Sequence, residues 1–276
     1  MLGPDKESIS ISRSKKYPQC RLNHLTSLDP DSTLRDALHL VEEARSRGIS
    51  LRLTGGAAVQ YHNHSGQLRK SDSEIDGLKD VDMVTYSSDR VEVSKLFNNE
   101  GYVADRYVMA YFGEDRFLFH NLVKKYSVDI FFENLNFNHK INLRPKGSPS
   151  RIELDYPTLT LADLVLSKLQ IHEALEKDLR DLQVLILEHP LTNVDAIESI
   201  NTSRIASVLA DDWGFYHDAK VNLSKVITGV SACEIREKVN QIIDVIDSEP
   251  KSKAWEKREH VGITRQWWSD VEELVR

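Results

Sequence analysis

Cysteine is nearly missing from this chain: Cys20 and Cys233 are the two in 276 residues. Such a pair supports neither a disulfide framework nor a cysteine-rich zinc site, and predicts a protein of the reducing cytoplasm. Long apolar runs are missing as well. No stretch approaches the ~20 consecutive apolar residues that span a bilayer, which predicts no membrane partner. The opening segment MLGPDKESISISRSKKYPQC carries no apolar core, so a signal peptide is not expected. Positive charge is not in excess, since 36 Lys+Arg stand against 43 Asp+Glu for a net charge of −7. That excludes a generally basic nucleic-acid coat, though not a local basic patch. The sequence shows no repeat and no low-complexity tract, and its serines and histidines come without a nucleophile elbow.

What is present suffices for a packed core, with 40% hydrophobic and 29% charged residues. At roughly 150 residues per domain, the length predicts about two units. Residues 1–30 read as a polar N-terminal tail or edge element, with a basic cluster at Arg13, Lys15 and Lys16. Residues 31–157 read as an α/β domain with a mixed sheet, and 158–276 as an α-helical domain, an α+β protein altogether. From Asp31, apolar residues at Leu34, Ala37, Leu38, Val41 and Ala44 predict a helix that Asp31 or Ser32 caps and Gly48 closes. A strand at 51–56, a helix at 57–62, a polar loop at 63–79, a strand at 80–86 and a helix at about 90–98 follow. YVMAYFG, RFLFHNLV, YSVDIFFE and KINLRP are β-like and suggest antiparallel hairpins. From Leu159 the pattern turns helical: two helices or one bent helix to Pro190, then about 193–211, 220–229, 232–248 and 264–275.

Four features bear on chemistry. Gly55-Gly56 falls where a strand meets a helix; glycines let a ligand approach the backbone, and helix N-terminal N–H groups favour an anion. Taken alone, the pair reads first as an ordinary strand-to-helix turn, since isolated glycine motifs are weak signals. Asp80 and Asp82 in DVDMVTY leave the same face of a strand, while Val81 and Met83 point the other way. Two anions so close call for a cation, and hard divalent ions take oxygen donors. Asp29 and Asp31 share that spacing, but Pro30 between them marks a turn, so strand context rather than spacing favours Asp80 and Asp82. Asp129 sits in the apolar strand YSVDIFFE, where an unpaired carboxylate is costly to bury. It reads as a third acid on the same face or as an edge residue facing water. Lys168 lies on the apolar stripe of a helix, where its head either escapes to water or meets an anion, a phosphate or an acid of the first half. Asp178, Arg180 and Asp181 read as surface charges paired along their helix.

LRLTGGAAVQYH, KDVDMVTY and SVDIFF together resemble the nucleotidyltransferase superfamily of polymerase-beta-like fold, and most nearly its AbiEii-type branch, often toxins of toxin–antitoxin systems. LADLVLSKLQIHEALEKDLRDLQVL is similar to that branch's lysine followed by an acidic Asp-x-x-Asp stretch, with Lys168, Lys177, Asp178 and Asp181 in matching places. The likeness covers roughly residues 50–187. It implies a metal-dependent transfer of a nucleoside monophosphate from a nucleoside triphosphate to a hydroxyl acceptor, with pyrophosphate released. It also implies Gly55, Gly56 and Lys168 on the phosphates, and Asp80, Asp82 and Asp129 on magnesium or manganese, with Asp129 assisting deprotonation. The acceptor stays open among RNA such as tRNA, a protein and a small hydroxyl compound, and an antitoxin protein is an implied partner. The chain departs from the pattern in the long 57–79 insertion, in a rival pair Asp72 and Glu74 with polar flanks, and in Leu78 where Thr or Ser is usual. A non-catalytic module of the same fold that binds nucleotide or a partner is the alternative.

His62 and His64 lie two apart with no cysteine nearby, so a zinc site is not expected there. The stretch KSKAWEKREHVGITRQWW interleaves Lys251, Lys253, Lys257, Arg258 and Arg265 with Trp255, Trp267 and Trp268. It reads first as a packed amphipathic helix with the tryptophans as anchors, and second as an RNA-binding surface.

Overall fold

Alternation in DVDM opens an interior strand of the sheet: Val81 and Met83 are buried, Asp80 is exposed and Asp82 half-buried. A computed structural model describes residues 32–66, 78–228 and 233–271. The expected N-terminal tail, the Asp31 cap, the Asp72 and Glu74 pair and most of the 63–79 loop lie outside the described residues. Helix α1 (Ser32–Ser46) buries Leu34, Ala37, Leu40, Val41 and Ala44. Strand β1 (Arg52–Thr54) runs straight into α2 (Gly55–His62), so the helix begins at the two glycines rather than after them. Then come β2 (Asp80–Thr85), α3 (Arg90–Asn99), β3 (Val103–Ala104), α4 (Arg106–Phe112), β4 (Arg116–Asn121) and β5 (Tyr126–Phe132).

Five strands form one mixed sheet in the order β1-β2-β5-β4-β3. The β2–β5 pair is parallel, and β1–β2, β3–β4 and β4–β5 are antiparallel. A small hairpin of β6 (Asn134–Asn136) and β7 (Lys140–Asn142) follows. The rest is mostly helical: α5 (Leu161–Leu169), α6 (Glu176–Glu188), α7 (Thr202–Leu209), α8 (Trp213–Val226), α9 (Cys233–Ser248) and α10 (Lys253–Glu259). The protein is therefore of the α+β class. Its described residues fall in one unit, with an apolar core that continues from Leu34 through Val128 and Ile130 to Ile246. Among the described residues no helix is long and apolar enough to cross a membrane.

Three local expectations fail for identifiable reasons. YVMAYFG is not a strand: Asp105 accepts a hydrogen bond from the Val108 N–H at 3.0 Å and caps α4, whose Val108 alone is buried. The 193–211 stretch is helical only from Thr202. Ahead of it, β8 (Leu191–Thr192) pairs in parallel with β9 (Ile200–Asn201), and Asn201 caps α7 through the Arg204 N–H. Of the expected 264–275 helix, residues 265–271 are not helical and 272–275 lie outside the described residues; the nearest helical elements are α10 and a 3₁₀ turn at Gly262–Thr264. There the Arg258 guanidinium donates to the Gly262 and Arg265 carbonyls at 2.7 and 2.8 Å, so a side chain holds the backbone that a helix would have paired.

Candidate functional site

The sheet register sets Thr54 opposite Asp82, Asp82 opposite Asp129 and Asp129 opposite Leu118, a single row across β1, β2, β5 and β4. Asp80 is level with Ser127 in the next row, and Ser127 with His120. Because side chains on paired strands share a face at each register position, Asp80, Asp82 and Asp129 stand on the same side of the sheet. The opposite face carries Val81, Met83, Val128 and Ile130, all fully buried. The expected alignment of the three acids is thus in place, Asp129 buried and Asp80 at the open end of the strand.

Two further observations mark this row. Gly55 has φ of +59°, and a β-carbon built on it would stand 2.1 Å from Asp82 Oδ2, so only glycine fits there. Gly56 is not so confined; its added β-carbon would meet Leu78 at 3.9 Å, an ordinary contact. Beside Asp82, the buried Thr54 hydroxyl has no hydrogen-bond partner within the described protein. At Asp129 the compensating cation is Arg116, whose Nη2 lies 3.0 Å from Asp129 Oδ1.

Lys168 meets its anion inside the helical half. Its ammonium is 3.1 Å from Asp178 and 2.7 Å from Asp181, both on α6. Burial alone would lower its pKa, but the two carboxylates outweigh that and raise it, so the lysine stays charged. Asp178 is therefore not the surface charge expected from the sequence: it is buried, and it also accepts from the Leu175 N–H at the start of α6. Helix α2 packs against both α5 and α6.

Sequence reasoning missed a second cluster. His62, on the buried side of α2, and His64 are joined by His189 after α6 and by Glu198. Burial pushes the His62 pKa below its ordinary value, against the opposing pull of Glu198. His62 and Glu198 are 136 positions apart, so nothing local in the chain announces the meeting.

A third cluster fixes the C-terminal aromatic stretch. Buried Asp218 on α8 accepts from Trp267 Nε1 at 2.9 Å and faces His139 Nε2 at 2.8 Å and His172 Nδ1 at 3.0 Å. Trp268 stacks on His172, Trp267 lies against Gly214, and Trp255 is buried on α10. The tryptophans pack as anchors, but only Trp255 does so from a helix; Trp267 and Trp268 are half-buried on non-helical backbone rather than on the amphipathic helix first expected.

No protein-family model matches the chain, and no curated protein matches it. Among solved structures it is similar to an antigenic nucleotidyltransferase-like protein from Paracoccidioides brasiliensis. That similarity is 13% in identity, covers 82% of this chain and 97% of the other, and has a TM-score of 0.37.

Proposed function

We propose that this chain is a metal-dependent nucleotidyltransferase that moves a nucleoside monophosphate from a nucleoside triphosphate to a hydroxyl acceptor. The observation that carries this reading is the row Thr54, Asp82, Asp129, with Gly55 pressed against the Asp82 carboxylate where α2 begins. The fit to a small hard cation and a phosphate rests on three features. The donors Asp80, Asp82 and Asp129 offer oxygen only, the Thr54 hydroxyl is buried without a partner, and the Gly55 backbone leaves no room for a side chain. Asp80, Asp82 and Asp129 would hold magnesium or manganese, which when bound supplies neutralising charge for the triphosphate.

The chain's own residues would do the rest. Gly55 and Gly56 open α2, and the N–H groups of its first turn would bind phosphate oxygens. Asp129 would accept the proton of the acceptor hydroxyl. That oxygen then bonds to the α-phosphorus as the bond to the pyrophosphate oxygen breaks, and positioning and charge neutralisation lower the barrier. Lys168 would reach a phosphate only by exchanging one of its two carboxylates.

Thermal unfolding with each nucleoside triphosphate, with and without magnesium, tests this for wild type and Asp82→Asn. Ligand at a hundredfold over its dissociation constant adds about 2.7 kcal/mol, a rise of several degrees at this size. The expected result is a magnesium-dependent rise that Asp82→Asn abolishes, followed by transfer of labelled nucleotide to an RNA, protein or small hydroxyl acceptor. No rise with any nucleotide would sink the reading.

One observation favours a second reading, nucleotide binding without turnover: Arg116 already stands as the cation against Asp129. Under it, Arg116→Met loses stability that magnesium does not restore. Under the catalytic reading, magnesium stabilises Arg116→Met more than wild type, because the vacated side of Asp129 becomes available to the ion.

A further inference from the structure

Three histidines and a glutamate from distant parts of the chain meet at the C-terminal end of α2. One ligating atom from each of His62, His64, His189 and Glu198 lies within 4.8 Å of all the others. Glu198 is the hub: Oε1 is 3.1 Å from His62 Nδ1, and Oε2 is 3.1 Å from His64 Nε2 and 2.9 Å from His189 Nε2.

Hydrogen bonds on the far sides of two rings decide where their protons sit. His189 Nδ1 is 2.9 Å from the Leu185 carbonyl, which can only accept, so Nδ1–H donates there. The Thr158 hydroxyl gives its single proton to the Leu159 carbonyl at 2.8 Å, which leaves a lone pair for His62 Nε2–H, also at 2.8 Å. In each neutral ring, the nitrogen turned toward Glu198 therefore carries a lone pair, and an ionised carboxylate has only lone pairs to offer. Acceptors aimed at an acceptor repel unless a cation lies among them. His62 is 2% exposed and His189 1%, so these groups face one another away from water.

The backbone around the cluster is arranged to match. Glu198 has φ of 55°, a left-handed conformation that costs a non-glycine residue energy and is retained where something offsets it. The Glu188 carboxylate accepts from the His64 and Ser65 N–H groups at 2.7 and 3.2 Å and so holds the turn that carries His64. Imidazoles anchored through their second nitrogen to a carbonyl or hydroxyl are the usual support of a metal ligand.

We propose that His62, His64, His189 and Glu198 bind one zinc ion in a closed, structural site. Three imidazole nitrogens and one carboxylate oxygen suit zinc and disfavour magnesium or calcium, which take oxygen donors. Zinc bonds of about 2.0–2.1 Å put tetrahedral ligands about 3.4 Å apart. The contacts to Glu198, 2.9–3.1 Å, would open by a few tenths of an ångström, and the other donor pairs already lie within 4.8 Å. The ion fastens the end of α2 to the end of α6 and to the connection between β8 and β9. The start of α2 is Gly55, beside Asp82, so the site steadies the helix that borders the acidic row. The inference does not depend on nucleotidyl transfer, since its readout is metal.

The test uses the full chain, produced without a histidine tag and dialysed against metal-free buffer. Elemental mass spectrometry should find about one zinc per chain, and cobalt exchanged into the site should give the intense visible bands of tetrahedral coordination. A chelator should lower the unfolding temperature of the wild type. His64→Ala, at an exposed position, and Glu198→Gln should each weaken zinc binding at least about tenfold, no less than the loss of a supporting residue costs, while circular dichroism stays native. A wild-type chain that holds no metal, takes up no zinc and ignores the chelator overturns the proposal. Zinc whose stoichiometry and affinity survive both substitutions overturns it too, because the ion then sits elsewhere.

Discussion

Gly55 lies so close to Asp82 that a β-carbon on its backbone would stand 2.1 Å from the carboxylate oxygen Oδ2. The contact couples the first residue of α2 to the half-buried acid of β2, so the two glycines of the pair are not equivalent. Gly55→Ala faces both a positive φ and that clash, and should cost about 1–3 kcal/mol and displace Asp82. Gly56→Ala meets nothing closer than Leu78 and should leave stability unchanged or raise it by about 0.4–1 kcal/mol. Urea unfolding of the two variants checks the contrast. Equal losses would mean that the backbone at Gly55 relaxes. If the phosphates lie on this turn, Gly56→Ala should also weaken nucleotide binding while the fold keeps its stability.

Lys168 answers two carboxylates from a buried position, and its removal leaves Asp178 without that cation. Lys168→Met should destabilise the protein by about 3–5 kcal/mol, the range for breaking a buried ion pair from one side. Adding Asp178→Asn should recover part of the loss, because an amide keeps the shape without the charge. Urea midpoints of the single and double variants decide the matter, and a double variant no better than the single would contradict the pairing.

The Asp218 cluster sets a pH window. Burial pushes the Asp218 carboxyl up, but His139, Trp267 and His172 outweigh it, and its pKa is lowered. Its stabilising contribution is present above the ordinary carboxylate value of about 3.9 and is lost as pH falls through the depressed value. Burial likewise lowers His139, but Asp212 and Asp218 outweigh it, and its pKa is raised. That contribution is complete below the ordinary histidine value of about 6.5 and is lost as pH rises through the raised value. The ion pairing is therefore fullest between those limits. His139→Gln should cost most stability near pH 5–6 and progressively less at alkaline pH. A cost independent of pH would remove the charge from the account.

Much of the acidic row was legible because its signals are local. Period-two alternation in DVDMVT and SVDIFF assigned Asp80, Asp82 and Asp129 to the faces opposite their apolar neighbours, and each strand is observed where expected. The stripe in LADLVLSKL marked Lys168 as a cation in need of an anion. The identity of that anion was misjudged, because Asp178 and Asp181 look like ordinary surface acids until α6 folds back onto α5. The α4 error has a local cause as well: YVMAYFG has strand-like residues, and one capping aspartate outweighed them.

The sequence by itself determined which segments are strands or helices over most of the chain, and which side chains share a face. Those properties follow from alternation, helical spacing and caps, interactions that reach only a few residues along the backbone. Tertiary structure alone decided that Asp82 lies level with Asp129, that Arg116 rather than another cation stands against Asp129, and that His62 and His64 meet His189 and Glu198. Strand register and helix docking are chosen by burying apolar faces across the whole chain, so residues more than a hundred positions apart become neighbours with no local trace in the sequence.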